Sequence, residues 1–190
     1  VGLGKTYQAG ELIADRVLNH RDRVLVVAPA VLRDGPWRKF LRDRDLPVQV
    51  VSFEELVVDK RLNPAGGTRE VLWHRPNDYK MVVIDEAHNL RNPSTQRAEA
   101  LRALLAGNPP KDVVLVTATP VNNSLWDLYH LLRFFIRSES AFANVGVPNM
   151  REHFAAAMEI DPEDLTAEAL FDILDQVSVR RTRPFIKRYY

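Results

Sequence analysis

The run Met81-Val82-Val83-Ile84, followed at once by Asp85-Glu86, constrains this chain more than any other stretch. A short unbroken apolar run suits a strand buried on both faces of a parallel sheet. Two acids cannot follow it into that core without a large desolvation cost, so Asp85 and Glu86 are expected to emerge at the strand's carboxyl edge. Open α/β sheets hold their ligands at that edge. There, one carboxylate suits a divalent cation and its neighbour suits a water. The same pair also opens ordinary surface turns, and these residues alone do not decide between the two.

The other end of the chain does. Val1-Gly2-Leu3-Gly4-Lys5-Thr6 reads as the back half of a phosphate-binding loop, G-x-x-x-x-G-K-[ST]. Glycines let backbone N–H groups curl round a phosphate chain, and a helix beginning there aims its positive end at the same anion. Gly2, Leu3, Gly4 and Lys5 are thus candidate nucleotide contacts, and the Thr6 hydroxyl is a candidate Mg²⁺ ligand. A bare G-K-T also occurs in exposed turns. This one opens a helix about 80 residues before a strand ending in Asp-Glu, and the pairing points to a nucleoside triphosphate. Asp85 then holds Mg²⁺, partly through water, and Glu86 deprotonates the attacking water. His88 is placed to meet the γ-phosphate or relay its presence, though an isolated turn histidine looks the same. Thr117 and Thr119, at the end of a later strand, can report the γ-phosphate by exchanging hydrogen-bond partners. The strand feeding the loop is expected before residue 1, so the chain reads as a piece of a longer protein.

Between these motifs, strand and helix patterns alternate. Helices are expected over Tyr7–His20, from Asp34-Gly35-Pro36 onward, after a capping box at Ser52, over Arg69–His74, from Pro93 to Leu105 and from Leu125 to Phe135. Strands are expected near Val24–Val27, Val48–Val51, Met81–Ile84 and Val113–Val116. The alternation predicts an α/β fold with a mostly parallel sheet. From about residue 138 the strand signals stop and helical segments follow, at Met150–Met158 and about Glu163–Val177. Charge is patchy although the net is +1: residues 152–179 carry eight acids and no Lys or Arg, and residues 180–190 carry five basic groups and no acid. Cysteine is absent, which removes any disulfide framework or thiolate metal site. No apolar run approaches the roughly 20 residues that cross a bilayer, and the first residues do not read as a secretory signal. A cytoplasmic location is expected, nucleoid-associated if bacterial.

Taken in this order, the loop, Asp85-Glu86-Ala87-His88 and Thr117-Ala118-Thr119-Pro120 resemble the first RecA-like lobe of superfamily-two helicases and translocases. Thr117 to Phe135 is similar to the Swi/Snf-related pattern T-G-T-P-x-x-N-s-l-x-e-L-w-x-L-l-x-F-l. His88-Asn89-Leu90-Arg91-Asn92 resembles that branch's H-R-x-K-N, and Val179-Arg180-Arg181-Thr182-Arg183 its L-R-R-T-K. Three departures stand out. Ala118 replaces the usual glycine, Arg183 stands where lysine is typical, and Pro29 to Trp37 is one residue longer than P-x-s-l-l-x-x-W. Bacterial or archaeal stand-alone members are the nearest in pattern.

The resemblance implies a RecA-like three-layer lobe over residues 1–137 and a small helical extension over 138–190 ending in a basic segment. It implies ATP and Mg²⁺ bound between this lobe and a second one that supplies an arginine finger, with double-stranded DNA as the track. Pro29, Ala30, Ser52, Arg91 and Asn92 would line the DNA face, with Arg180 and Arg181 beyond. Short polar groups, arginines and exposed N–H groups suit sequence-independent phosphate contacts. Trp37 and Trp126 read as core aromatics. No segment reads as Q-x-x-G-R-x-x-R, so the chain by itself is expected to bind nucleotide weakly and hydrolyse it poorly. Two other readings stay open: an RNA or DNA unwinding helicase of DEAH type, and a non-catalytic nucleic-acid-binding scaffold lobe.

Overall fold

The computed structural model describes residues 5–118, 124–159 and 168–179. The chain divides into two compact units, one spanning Gly4–Pro120 and one formed mainly by Val121–Tyr190. Among the described residues of the first unit, four strands form one parallel sheet, ordered β2-β1-β3-β4. They are β1 (Val24–Val27), β2 (Gln49–Val51), β3 (Met81–Asp85) and β4 (Asp112–Val116). The expected α/β architecture is therefore the one observed. β3 is buried along its whole length, as an apolar strand with neighbours on both sides must be.

Register sets the chemistry. Val27 pairs with Val51 on one side and with Ile84 on the other, and Asp85 pairs with Val116. The four strands therefore end level, and Ser52, Ala28-Pro29, Glu86 and Thr117 leave the sheet along one carboxyl edge.

Helix α1 (Lys5–Leu18) packs on β1 and β4. Its buried residues Ala9, Ile13 and Ala14 join Val24, Val26, Met81, Val83 and Trp37 in one apolar core. Arg16 near its far end pairs with Asp22 at 2.7 Å and with Asp112, at the start of β4, at 2.8 Å. Gly10 lets α1 approach the next helical segment: a Cβ there would lie 2.3 Å from Cζ of Phe40. That ring cannot retreat easily. It packs edge-on against Tyr7 and Trp37, with the Arg44 guanidinium 4.6 Å above its centre. Gly10→Val should therefore cost about 2 kcal/mol through overpacking, lowering Tm by roughly 4–8 °C in a thermal melt. An unchanged Tm would mean that the two helices separate there without penalty.

Two local expectations are corrected. The helix that the Asp34-Gly35-Pro36 signal predicts already begins at Ala30. It runs as α2 (Ala30–Leu32), a π turn (Arg33–Trp37) and α3 (Arg38–Asp43). A proline in an α-helix clashes with the carbonyl four residues back. Here the turn widens around Pro36, and Arg38 N–H donates to the Arg33 carbonyl five residues earlier. Arg69–His74 is not helical either. Its backbone is drawn to Asp59 and Gln49, which take the N–H groups of Val71, Leu72 and Trp73. The capping box holds as expected: Ser52 Oγ accepts from Glu55 N–H, and the Glu55 carboxylate accepts from Ser52 N–H, opening α4 (Phe53–Val58). After α4, helix α5 (Gln96–Leu105) is capped by Thr95 and packs on α4.

The second unit is helical. Among its described residues, α6 (Leu125–Leu132), α7 (Met150–Met158) and α8 (Glu168–Val177) gather round Leu128, Tyr129, Leu132, Met150, Phe154 and Ile173. Glu139 ties the connection together, accepting from the Tyr129 hydroxyl at 2.9 Å and from Arg151 N–H at 3.0 Å. Trp126 packs edge-on against Tyr129.

Candidate functional site

The carboxyl edge of the sheet brings most of the sequence-predicted residues together. Asp85 closes β3 and is only 3% exposed. Burial pushes its carboxyl above the ordinary carboxylate range. The indole N–H of Trp37 and the backbone N–H of Glu86 pull it back down; the Glu86 charge works with burial, and the Lys5 ammonium against it. Lys5, at the start of α1, thus carries its charge near enough to the end of β3 to favour the Asp85 carboxylate. Thr6 follows Lys5 in the same first turn and is half-buried.

The Asp85 carboxylate is held at both oxygens. Trp37 Nε1 donates to Oδ2 at 2.8 Å, and Glu86 N–H donates to Oδ1 at 2.9 Å. Glu86 itself sits in the left-handed region, φ 50° and ψ 48°, which is uncommon for a residue with a side chain. The turn around it is tightly bonded. Asn89 donates to the Glu86 carbonyl through both its backbone N–H, at 3.0 Å, and its side-chain amide, at 2.8 Å. The short helical turn Ala87–Leu90 buries Ala87 and Leu90 beneath the edge. The Glu86 carboxylate is turned toward His88, with Oε2 3.0 Å from Nδ1. That approach suits ion pairing but makes no hydrogen bond.

Around this centre, Pro29 is half-buried and Ala30 exposed at the start of α2. Thr117 directly follows β4, one residue past the partner of Asp85, and is half-buried. Arg91 is half-buried and Asn92 exposed, with Asn92 Oδ1 accepting from both the backbone N–H and the hydroxyl of Ser94. Ser52 is 3% exposed and its oxygen is taken by the cap of α4. Gly2, Leu3, Gly4, Thr119, Arg180 and Arg181 lie outside the described residues.

Two residues gain a place that their sequence reading did not give them. Trp37 is fully buried, as a core aromatic should be, yet its polar atom reaches Asp85. The signal available was the extra residue between Pro29 and Trp37. Asn89 carried none, since a side-chain amide bonded to a nearby carbonyl leaves no pattern.

The donor set fits magnesium with a phosphate chain better than a metal held by protein alone. Among the described residues, no group of three or more His, Cys, Asp or Glu could hold a metal ion. Mg²⁺ beside phosphates needs only one or two carboxylates or hydroxyls, the rest of its shell being water and substrate oxygens. Asp85 and Thr6 suit that role, and a cation there would also relieve the desolvated Asp85 carboxylate.

Such a sheet, with its acids at the carboxyl end of an inner strand beside a helix led by lysine, defines a RecA-like lobe. Comparison with known proteins takes this further. Residues 37–189 match the SNF2-related domain. An "uncharacterized ATP-dependent helicase YqhH" of Bacillus subtilis is 28% identical over 96% of this chain and 32% of its own length. The "chromodomain-helicase-DNA-binding protein 1-like" of Danio rerio is 27% identical over 96% of this chain and 19% of its own length. The chain thus spans about a third of the first relative and a fifth of the second. The fold is shared with the Sulfolobus solfataricus SWI2/SNF2 ATPase core solved with double-stranded DNA. That match has a TM-score of 0.66 at 23% identity, over 96% of this chain and 39% of that one. This chain belongs to the SNF2-related family and has the fold of the first RecA-like lobe of its ATPases.

Proposed function

We propose that this chain is the ATP-binding lobe of a translocase that moves along double-stranded DNA. The observation that carries this reading is the Asp85-Glu86 pair at the carboxyl end of the buried inner strand β3, where the register brings the ends of β1, β2 and β4 to the same edge. Lys5 is a compact charge for the β- and γ-phosphates. Thr6 and Asp85 would hold magnesium, which when bound would supply Lewis-acid neutralisation of the phosphate oxygens. Glu86 takes the proton of the water that attacks the γ-phosphorus; the bond to the β–γ bridging oxygen breaks, giving ADP and phosphate. His88, against Glu86, and Thr117, one position past the partner of Asp85, pass the presence of the γ-phosphate to neighbouring elements.

Catalysis needs an arginine finger from a second lobe, so this chain alone binds nucleotide weakly and turns it over poorly. Pro29, Ala30, Arg91 and Asn92 line the DNA face, and Ser52 serves it by fixing the start of α4. The SWI2/SNF2 ATPase core of the same fold, solved with double-stranded DNA, supports this choice of track, as does the full burial of Trp37, which keeps that ring from stacking on an unpaired base.

The test is ATP turnover by the complete gene product with duplex DNA, single strands or RNA as activator, alongside displacement of a third strand from a triplex. Duplex DNA should stimulate at least about tenfold more than RNA, and the third strand should be released only with ATP. The tenfold threshold corresponds to about 1.4 kcal/mol of coupling. Equal stimulation by RNA with strand separation would replace the translocase by an unwinding helicase. No turnover with any polymer, despite nucleotide binding, would leave a scaffold lobe.

A further inference from the structure

We infer that Trp37 is a positioning residue for the magnesium site, presenting the Asp85 carboxylate to the metal through its indole N–H. The inference rests on the nucleotide-binding reading above and adds a residue to it.

Three observations carry it. The first is the hydrogen bond itself, 2.8 Å from Nε1 to Oδ2, between a fully buried indole and a carboxylate only 3% exposed. An indole N–H can only donate, so Asp85 must present an oxygen to it. With Glu86 N–H on Oδ1, both ends of the carboxylate are fixed and its plane is set before any ion arrives. The remaining lone pairs are what a cation would meet. Groups that orient a metal ligand in this way commonly change metal affinity 10- to 100-fold when removed.

The second is the π turn. Arg33–Trp37 holds one residue more than an α-helical path would, and single π turns inside helices are frequent at functional sites. The turn falls within the Pro29–Trp37 spacing, which is one residue longer than the pattern it resembles. Widening the turn absorbs that residue and Pro36 together, and Trp37 still faces the core. Had the helix stayed regular, one added residue would have rotated the indole by about 100°, away from β3.

The third is that the turn is anchored. Arg33 pairs with Asp34 through two hydrogen bonds, at 2.9 and 2.8 Å, and also with Glu55, the capping-box acid that accepts from Ser52 N–H. Phe40 packs edge-on against the Trp37 ring at 6.4 Å. The turn is thereby tied to α4 by the Arg33–Glu55 pair, and the indole is backed by Phe40, which Gly10 admits.

The test compares the complete wild-type gene product with Trp37→Phe, which keeps a ring in the core and deletes the donor. Mn²⁺ binding, followed by electron paramagnetic resonance with a non-hydrolysable ATP analogue, should require 10- to 100-fold more metal for half-saturation in the variant. Affinity for a fluorescent ADP in EDTA should change less than about threefold, since phosphate contacts of Lys5 and the loop remain. A second measurement needs no variant. The Trp37 indole ¹H–¹⁵N resonance of the wild-type protein should shift when Mg²⁺ is added to the ADP-bound form, more than those of Trp73 and Trp126. An unmoved Trp37 resonance, or a variant with unchanged metal half-saturation, overturns the inference while leaving nucleotide binding intact. A wild-type protein that binds neither nucleotide nor Mn²⁺-nucleotide overturns the functional reading and this inference with it.

Discussion

Glu86→Gln in the complete gene product should lower ATP turnover by at least about 100-fold, the lower end of what a positioned general base contributes. Nucleotide affinity should stay within about threefold of wild type. The expectation follows from how little else the substitution touches. Gln has the shape of Glu, and the turn at residue 86 is held through its backbone carbonyl by Asn89, not through its side chain. The N–H of residue 86 still bonds Asp85 Oδ1, so the neighbouring carboxylate keeps its orientation. What disappears is the proton acceptor and the charge beside His88 Nδ1. Steady-state turnover with saturating duplex DNA, paired with a fluorescent-nucleotide titration, separates the outcomes. Unchanged turnover removes Glu86 from its assigned step. Loss of turnover and binding together means that the charge at residue 86 shapes the site rather than activating water.

Where the chain announced its structure, one local rule acted unopposed. The Met81–Ile84 run leads into acids that desolvation forbids in the core, so the strand, its end and its functional edge follow from transfer free energies. Ser52 and Glu55 likewise satisfy each other within one turn. Elsewhere tertiary contacts overrode local preference. Arg69, Glu70 and Leu72 are good helix formers, but burying Asp59 demanded backbone donors, and Val71 and Leu72 supplied them. Pro36 follows the usual signal for a helix start, yet the helix was already running from Ala30, and a π turn let it continue. The indole that reaches Asp85 lies 48 residues away in sequence, and no periodicity carries information over that distance. The extra residue before Trp37 was visible, but its meaning required the partner on β3.

The largest stability effect is expected at Asp59→Ala, which should destabilise the chain by about 4 kcal/mol. Asp59 is fully buried and accepts from the backbone N–H groups of Arg61 at 2.8 Å, Val71 at 2.7 Å and Leu72 at 2.9 Å. Alanine would leave these three donors without an acceptor, one in a buried and two in a half-buried setting, at about 1–3 kcal/mol for each buried one. The loss cannot be absorbed by a small shift, because the same segment is pinned elsewhere. Arg61 donates to the carbonyls of Leu72 and His74, and Gln49 bonds the carbonyl of Val71 and the N–H of Trp73. Gly67 closes the loop where a Cβ would meet the carbonyl oxygens of Asn63 and Asp59 at 2.6 and 2.8 Å. This segment lies along β2, an edge strand of the sheet among the described residues, and covering such edges prevents strand-to-strand association. Asp59→Ala should therefore show a lower urea midpoint, faster amide exchange at Val71 and Leu72, and a greater tendency to aggregate. Asp59→Asn, which retains one acceptor oxygen, should lose roughly half as much stability. If Asp59→Ala costs under about 1 kcal/mol, the loop's donors find water or new partners, and the buried carboxylate does not organise this edge.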